Sequence, residues 1–184
     1  MDIVDQSLSV KRLEERLART TDDRQRQMLS VVLEHLAAEA DISLERLLAT
    51  LAPTPAYHLW ANGADYGPKG RDGVAEFYTQ LVRDKRGVLE FDITRIVVDD
   101  ATVVTEGWIR AINQGRLAKT RGYDVDDDDA HYLVTSRVVI FWPFNEAGEM
   151  LGEDGYSNWD AKAGWRKLSE DELPEVYKAL FAPA

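Results

Sequence analysis

The chain has 184 residues, 45% of them hydrophobic, with a formal net charge of −11, which is enough apolar material for one core without cross-links and too acidic a surface to suit nucleic acid or an anionic membrane. The absence of cysteine excludes disulfides, thiolate metal sites and a cysteine nucleophile. The opening "MDIVDQSLSVKRLEERL" has no apolar core of signal-peptide length, and no stretch approaches the ~20 apolar residues that span a bilayer, so a cytoplasmic protein is expected.

The first 52 residues read as three helices. Leu8, Leu13 and Leu17 recur at near-helical spacing, then Leu29, Val32, Leu33 and Leu36 share a face. Asp22 or Thr21 can cap the second helix and Ser43 the third, which Pro53 stops. A short strand follows over Ala56 to Ala61, then the turn-rich "ADYGPKG". Val74, Phe77, Tyr78, Leu81 and Val82 form the apolar stripe of a fourth helix. The rest is mostly strand. "VLEFDITRIVVDD" turns at Asp99-Asp100 into "ATVVTEGWIRAI". "NQGRLAKTRGYDVDDDDA" reads as a long polar hairpin end, "HYLVTSRVVIFWPF" as a third long strand and "EMLGEDGYSNWD" as a fourth. Ser169 and Glu172 have capping-box spacing beside a last helix in "LPEVYKALFA". The pattern is α+β: a curved antiparallel sheet packed against N-terminal helices, forming a cone-shaped half-barrel. Residues 1–42 read as a helical segment, its first helix an addition packed on a domain spanning 43–184.

Glu106, Trp108 and Arg110 share one face of the strand "TVVTEGWIR" because side chains alternate. Facing inward, Arg110 would keep Glu106 ionised as a general base, with Trp108 a pocket wall. Facing outward, the three belong to a sheet surface or dimer interface. The alternation leaves both open. His58 and Trp60 share a face of the short strand, where an imidazole can shuttle protons or bond at a pocket rim. Tyr78 lies on a buried stripe, so its hydroxyl needs a partner. His35 reads as structural and His131 as exposed. Three scattered histidines without H-x-x-x-H spacing argue against zinc. Asp124 to Asp129 copy the start of a calcium loop, but Asp129 and Thr135 stand where glycine and glutamate are needed, so a solvated hairpin tip is expected.

Three stretches, "GPKGRDGVAEFY" (67–78), "FDITRIVVDDATVVTEG" (91–107) and "VVIFWPFNEAGEMLGEDGYSN" (138–158), resemble the nuclear transport factor 2-like superfamily in its SnoaL-like branch. The likeness runs from about Ser43 to Asp160, with Asn158 where that family often has Asp. It implies a half-barrel around a mostly apolar pocket, usually dimeric, in a family of polyketide cyclases, dehydratases, ketosteroid isomerases, epoxide hydrolases and non-catalytic binders, so fold alone does not settle function. Set against the isomerases, that enzyme's base falls near Leu59 or Ala61 and its buried acid at Ile140, none able to move a proton. The same comparison turns Glu153 inward. An epoxide-hydrolase-like carboxylate–arginine–carboxylate set is matched in residue type, not in spacing, by Glu106, Arg110 and Glu153.

The resemblance implies a pocket for a hydrophobic small molecule, with no cofactor. A catalytic member would be a cyclase, dehydratase or hydratase. Glu106 or Glu153 would be the base and His58 the acid, with Tyr78 and Arg110 orienting the substrate and Trp60 and Trp108 as walls. A non-catalytic dimeric binding or assembly module is the alternative.

Overall fold

The computed structural model describes residues 3–61, 63–120, 122–158 and 165–181. Three helices come first: α1 (Leu8–Ala18), α2 (Asp23–Ala40) and α3 (Leu44–Ala49). Asp22 caps α2 by accepting the Gln25 N–H at 2.9 Å, which satisfies one of the orphan donors of the first turn. Ser43 precedes α3, but its hydroxyl makes no capping bond.

The chain continues through β1 (His58–Ala61), β2 (Ala64–Asp65) and α4 (Gly70–Arg83). On α4, Val74 and Tyr78 are buried, Phe77 packs on the same core and Val82 is exposed. β3 (Leu89–Val98) and β4 (Thr102–Gln114) form the expected hairpin. Its turn is held by Asp99, whose carboxylate accepts the Ala101 and Thr102 N–H groups.

The polar stretch after β4 is not all loop. It contains α5 (Gly115–Thr120), because Ala118, Tyr123, Val125 and Tyr132 bury one another beneath the acidic residues. β5 (His131–Pro143) is the third long strand. The fourth is shorter than its sequence suggests, β6 (Asp154–Ser157), and β7 (Trp165–Leu168) lies beyond it. Ser169 and Glu172 do make the capping box, on a 3₁₀ turn that leads to α6 (Glu175–Ala179).

The strands order β2-β1-β6-β5-β4-β3, with β7 also pairing β5. The sheet is curved and unclosed. It is mixed rather than wholly antiparallel, since β1 runs parallel to β6. Across the sheet, Leu59, Gly155, Ile140, Thr105 and Ile96 fall in one row, and Trp60, Tyr156, Val139, Glu106 and Arg95 in the next. Neighbouring rows face opposite sides. The first row's side holds the main core, where Phe91, Ile93, Val103, Ile140 and Trp142 meet Leu13, Leu29, Val32 and Leu36. The opposite side is covered at one end by Val4, Leu173 and Tyr177 packing on Ile112 and Leu168.

Two local features shape this sheet. β3 shifts register between Ile93 and Arg95, beside Gly107, where a Cβ would stand 2.2 Å from the Asp92 carbonyl oxygen. The bare backbone permits that approach, and the bulge adds curl. The edge strand β3 is covered by the N-terminal segment: Ser9 accepts the Phe91 N–H at 2.9 Å, and the Asp5 N–H donates to Glu90 at 2.7 Å. The Phe91 donor on the open sheet edge is thereby satisfied.

Candidate functional site

A cavity of about 250 Å³ opens among α2, α3, α4 and the start of β3. Its lining is aliphatic, including Leu36, Leu47, Leu81 and Leu89. Ile42, Leu44 and Val82 are exposed large apolar side chains that also belong to it; apolar surface gathered at a concavity is what a ligand site presents. Ile42 sits in the α2–α3 turn with φ 54°, a left-handed conformation that a β-branched residue rarely adopts and that clusters at functional sites. Gln6, Ser9, Glu39, Ser43, Tyr78 and Thr79 interrupt the apolar wall, which holds no lysine, arginine or histidine among the described residues. A second depression, about 500 Å³ and more open, lies beside His131, Tyr177 and Lys178.

Behind Glu39 and Tyr78 lies a buried polar cluster. Tyr78 donates to Glu39 Oε1 at 2.7 Å and lies 3.1 Å from Glu153 Oε1. His35 Nε2 is 3.2 Å from Glu153 Oε1, 3.3 Å from the Tyr78 hydroxyl and 3.3 Å from that of Tyr57. The two tyrosine oxygens are 3.4 Å apart. The His35 ring is fully buried and meets Trp142 edge-on at 5.7 Å.

Each member is placed by simple geometry. His35 and Glu39 are one helical turn apart on α2, four residues that bring both to one face. Tyr57 precedes β1 and Glu153 precedes β6, and these paired strands bring the two together; the His58 N–H donates to the Glu153 carbonyl at 2.7 Å. Gly152, with φ 144°, lets the chain before Glu153 pass where a Cβ would stand 2.1 Å from the Ala56 oxygen.

Thr50 fixes the histidine tautomer. Its hydroxyl donates to the Leu47 carbonyl at 2.6 Å, so towards His35 Nδ1, 2.7 Å away, it accepts. Nδ1 therefore carries hydrogen, and Nε2 is the nitrogen that faces Glu153 and the tyrosines. Burial lowers the His35 pKa, but the hydrogen bond to Glu153 and the charges of Glu39 and Glu153 outweigh it, leaving it above 6.5. Burial, then the charge of Glu153, pushes Glu39 up to about 7. Burial raises both tyrosines well above 10, so they serve as hydroxyls.

His35, Glu39 and Glu153 offer ligand atoms within 4.8 Å of one another, a set that could hold a metal ion. The Tyr78 hydroxyl already stands among them, at 2.7 to 3.3 Å from one atom of each. The arrangement is thus a proton network: two carboxylates, an imidazole and two phenols with fewer protons than acceptors.

Of the residues singled out from sequence, Glu153 and Tyr78 stand in this cluster. The inward reading of the β4 face is corrected, because the core side of β4 is taken by Val103, Thr105 and Gly107. Glu106 lies on the other face, paired with Arg137 at 2.6 Å and Arg95 at 2.9 Å; Arg137, then Arg95, keeps its pKa below the usual range. Trp108 is exposed with the Arg137 guanidinium over its ring, and Arg110 pairs with buried Glu90 at 2.8 Å. His58 bonds Asp65 at 2.8 Å in a surface cluster with Lys69, and Trp60 is exposed. None of these five residues lines the cavity.

Glu39, Tyr57 and Thr50 escaped the sequence reading, and His35, read as structural, stands in the cluster with them. A signal was present: Val32, Leu36 and Glu39 are spaced i, i+4, i+7, so a carboxylate continues the apolar stripe of α2. His131, read as exposed, is half-buried and bonds the Tyr177 hydroxyl at 3.0 Å.

A model of the SnoaL-like domain matches residues 32–149. No curated protein matches the chain. Among solved structures, it is similar to a protein of Shewanella denitrificans OS-217 described as a SnoaL-like polyketide cyclase, at 12% identity and a TM-score of 0.59, covering 71% of this chain and 90% of that one. A protein of Jannaschia sp. CCS1 with the same description aligns at 12% identity and a TM-score of 0.58, over 76% and 91% of the two chains. A nuclear transport factor 2-like protein of Burkholderia pseudomallei K96243 aligns at 17% and 0.54, over 73% and 92%. At such identities the likeness is one of fold.

Proposed function

Since the chain belongs to the SnoaL-like domain family, we propose that it binds a hydrophobic small molecule in the α2–α4 cavity and acts on it by cofactor-free acid–base chemistry, with Glu39 as the base. The observation that carries this reading is a carboxylate on an aliphatic wall with its pKa raised to about 7. A base poised near the working pH combines the right protonation state with a usable proton affinity. Tyr78 orients Glu39 through Oε1 and passes charge to Glu153 and His35 behind it. Thr50 holds the imidazole in the tautomer that relay needs. Proton abstraction next to a carbonyl, the opening step of a cyclisation or dehydration, is the reaction class these groups suit.

The test is deuterium exchange at the α-carbon of a panel of small cyclic ketones in D₂O, followed by NMR. Exchange above background is expected with the native chain. Glu39→Gln should reduce it ~10²–10⁴-fold, the usual worth of a positioned base, whereas Glu106→Gln should leave it intact. A ketone that binds with no exchange would point to a binding module instead, and exchange that survives Glu39→Gln would remove the assignment.

The outer face of the sheet supports a second copy of this chain as partner. Trp60, Val97, Trp108, Phe141 and Tyr156 are exposed there, beside Arg95, Glu106 and Arg137. An apolar patch mixed with both charge signs can meet itself across a two-fold axis. The homodimer should appear by light scattering, and Phe141→Glu should convert it to monomer. A monomeric native chain would contradict the pairing.

A further inference from the structure

We propose that the cavity takes an aliphatic amine: a compact hydrocarbon body in the cavity with its ammonium group on the Glu39 carboxylate. This rests on the reading of the cavity as a ligand site and names the class of compound it admits.

The argument is a count of donors, acceptors and charges. The wall is aliphatic and about 250 Å³ in volume, which limits the body to a small one. Some of its polar hydrogens are committed. The Tyr78 hydroxyl donates to Glu39, the Thr79 hydroxyl to the Ala75 carbonyl and the Gln6 amide to the Gly87 carbonyl. A carbonyl or ether oxygen on the ligand has the Ser9 and Ser43 hydroxyls of the lining as donors. A ligand that donates finds Glu39, an acceptor with capacity beyond the bond from Tyr78.

Charge points the same way. Two carboxylates, Glu39 and Glu153, face one imidazole, and the lining supplies no lysine or arginine among the described residues. The cluster is short of positive charge, and a buried carboxylate gains most from a cation that arrives with its own protons. The net charge of −11 favours the approach of cations over anions.

Proton linkage follows from the same groups. Glu39 faces His35 from its own helix, Tyr78 from α4, and Tyr57 and Glu153 from the segments before β1 and β6. Below about pH 7 Glu39 holds a proton, which an ammonium group must displace. Amine affinity should therefore fall up to about tenfold per pH unit below 7, while a neutral ligand is indifferent.

A matched pair decides the matter: cyclohexylmethylamine and cyclohexylmethanol, nearly equal in shape and different in charge. Binding is measured by calorimetry at pH 8 and pH 6, with the native chain, Glu39→Gln and a mouth-blocking Leu44→Trp. The amine should bind at least tenfold tighter than the alcohol at pH 8 and lose that advantage at pH 6. Glu39→Gln should abolish the preference, and Leu44→Trp should weaken both ligands. If the alcohol binds as well as the amine, or the preference survives Glu39→Gln, the amine proposal falls and the cavity reading stands. If neither compound binds, both fall.

Discussion

Glu39→Gln is expected to stabilise the fold at pH 8 and to change it little at pH 4.5. A carboxyl group whose folded pKa is raised binds its proton more tightly in the native state than in the unfolded chain. Between 4.5 and about 7 the native state therefore holds more protons, and its stability falls as pH rises through that window. A displacement of that size is on the order of 3 kcal/mol at ~1.4 kcal/mol per unit. The opening of Glu39 to the cavity reduces this, so a gain of about 2 kcal/mol is expected for the neutral amide at pH 8. Glutamine can still accept the Tyr78 hydroxyl through its oxygen. At pH 4.5 the native acid is already protonated, and the amide resembles it. Urea unfolding at both pH values measures the difference. Destabilisation at pH 8, or an equal gain at both pH values, would show that Glu39 is not held in the desolvated state argued above. The same substitution should remove exchange activity, so stability and function would move in opposite directions, as they do where a site is kept at the cost of stability.

Trp142→Ala is expected to cost about 3–5 kcal/mol, the range for emptying a large aromatic site. Trp142 is fully buried on the core face of β5, and its indole N–H donates to the Thr105 hydroxyl at 2.9 Å. Alanine leaves a void and a buried hydroxyl without that donor. A typical domain has only about 5–15 kcal/mol in hand, so the variant should be marginal at 37 °C. Trp142→Phe keeps most of the packing and isolates the hydrogen bond, for about 1 kcal/mol. Because the His35 ring packs edge-on to this indole, both variants should also shift the His35 titration seen by NMR. A loss below about 1 kcal/mol for alanine would mean that the core closes over the gap, and that Trp142 is not the wall on which His35 rests.

The fold was legible because its signals are local. The apolar stripe of α4, the Asp99 turn and the Ser169–Glu172 capping box each follow from residues a few positions apart, and each is present. The long polar stretch hid α5, since the apolar contacts that support it include Tyr132 on a later strand. The parallel pairing of β1 with β6 was equally hidden, because nearly one hundred residues separate the two.

The site was less legible, for a physical reason. Alternation sorts β4 into two faces without saying which is concave. Glu106, Trp108 and Arg110 look like a site and lie on the outer side, while their plain neighbours Val103, Thr105 and Gly107 face the core. The cluster itself is assembled from four separate segments: α2, the segment before β1, α4, and the segment before β6. Sequence showed Glu153 and Tyr78 as candidates, but not that His35 and Glu39 would meet them. The chemistry of each residue depends on that meeting: alone, His35 is a buried histidine, and beside two carboxylates its pKa is raised.

The most direct test is a crystal structure of the chain with a hydrophobic small molecule bound. The account predicts density in the α2–α4 cavity, its polar atom within hydrogen-bond reach of the Glu39 carboxylate and Tyr78 still bridging Glu39 and Glu153. A cavity closed by its own side chains with Glu39 turned to solvent, or a ligand seated instead on the Glu106–Trp108 face, would contradict it.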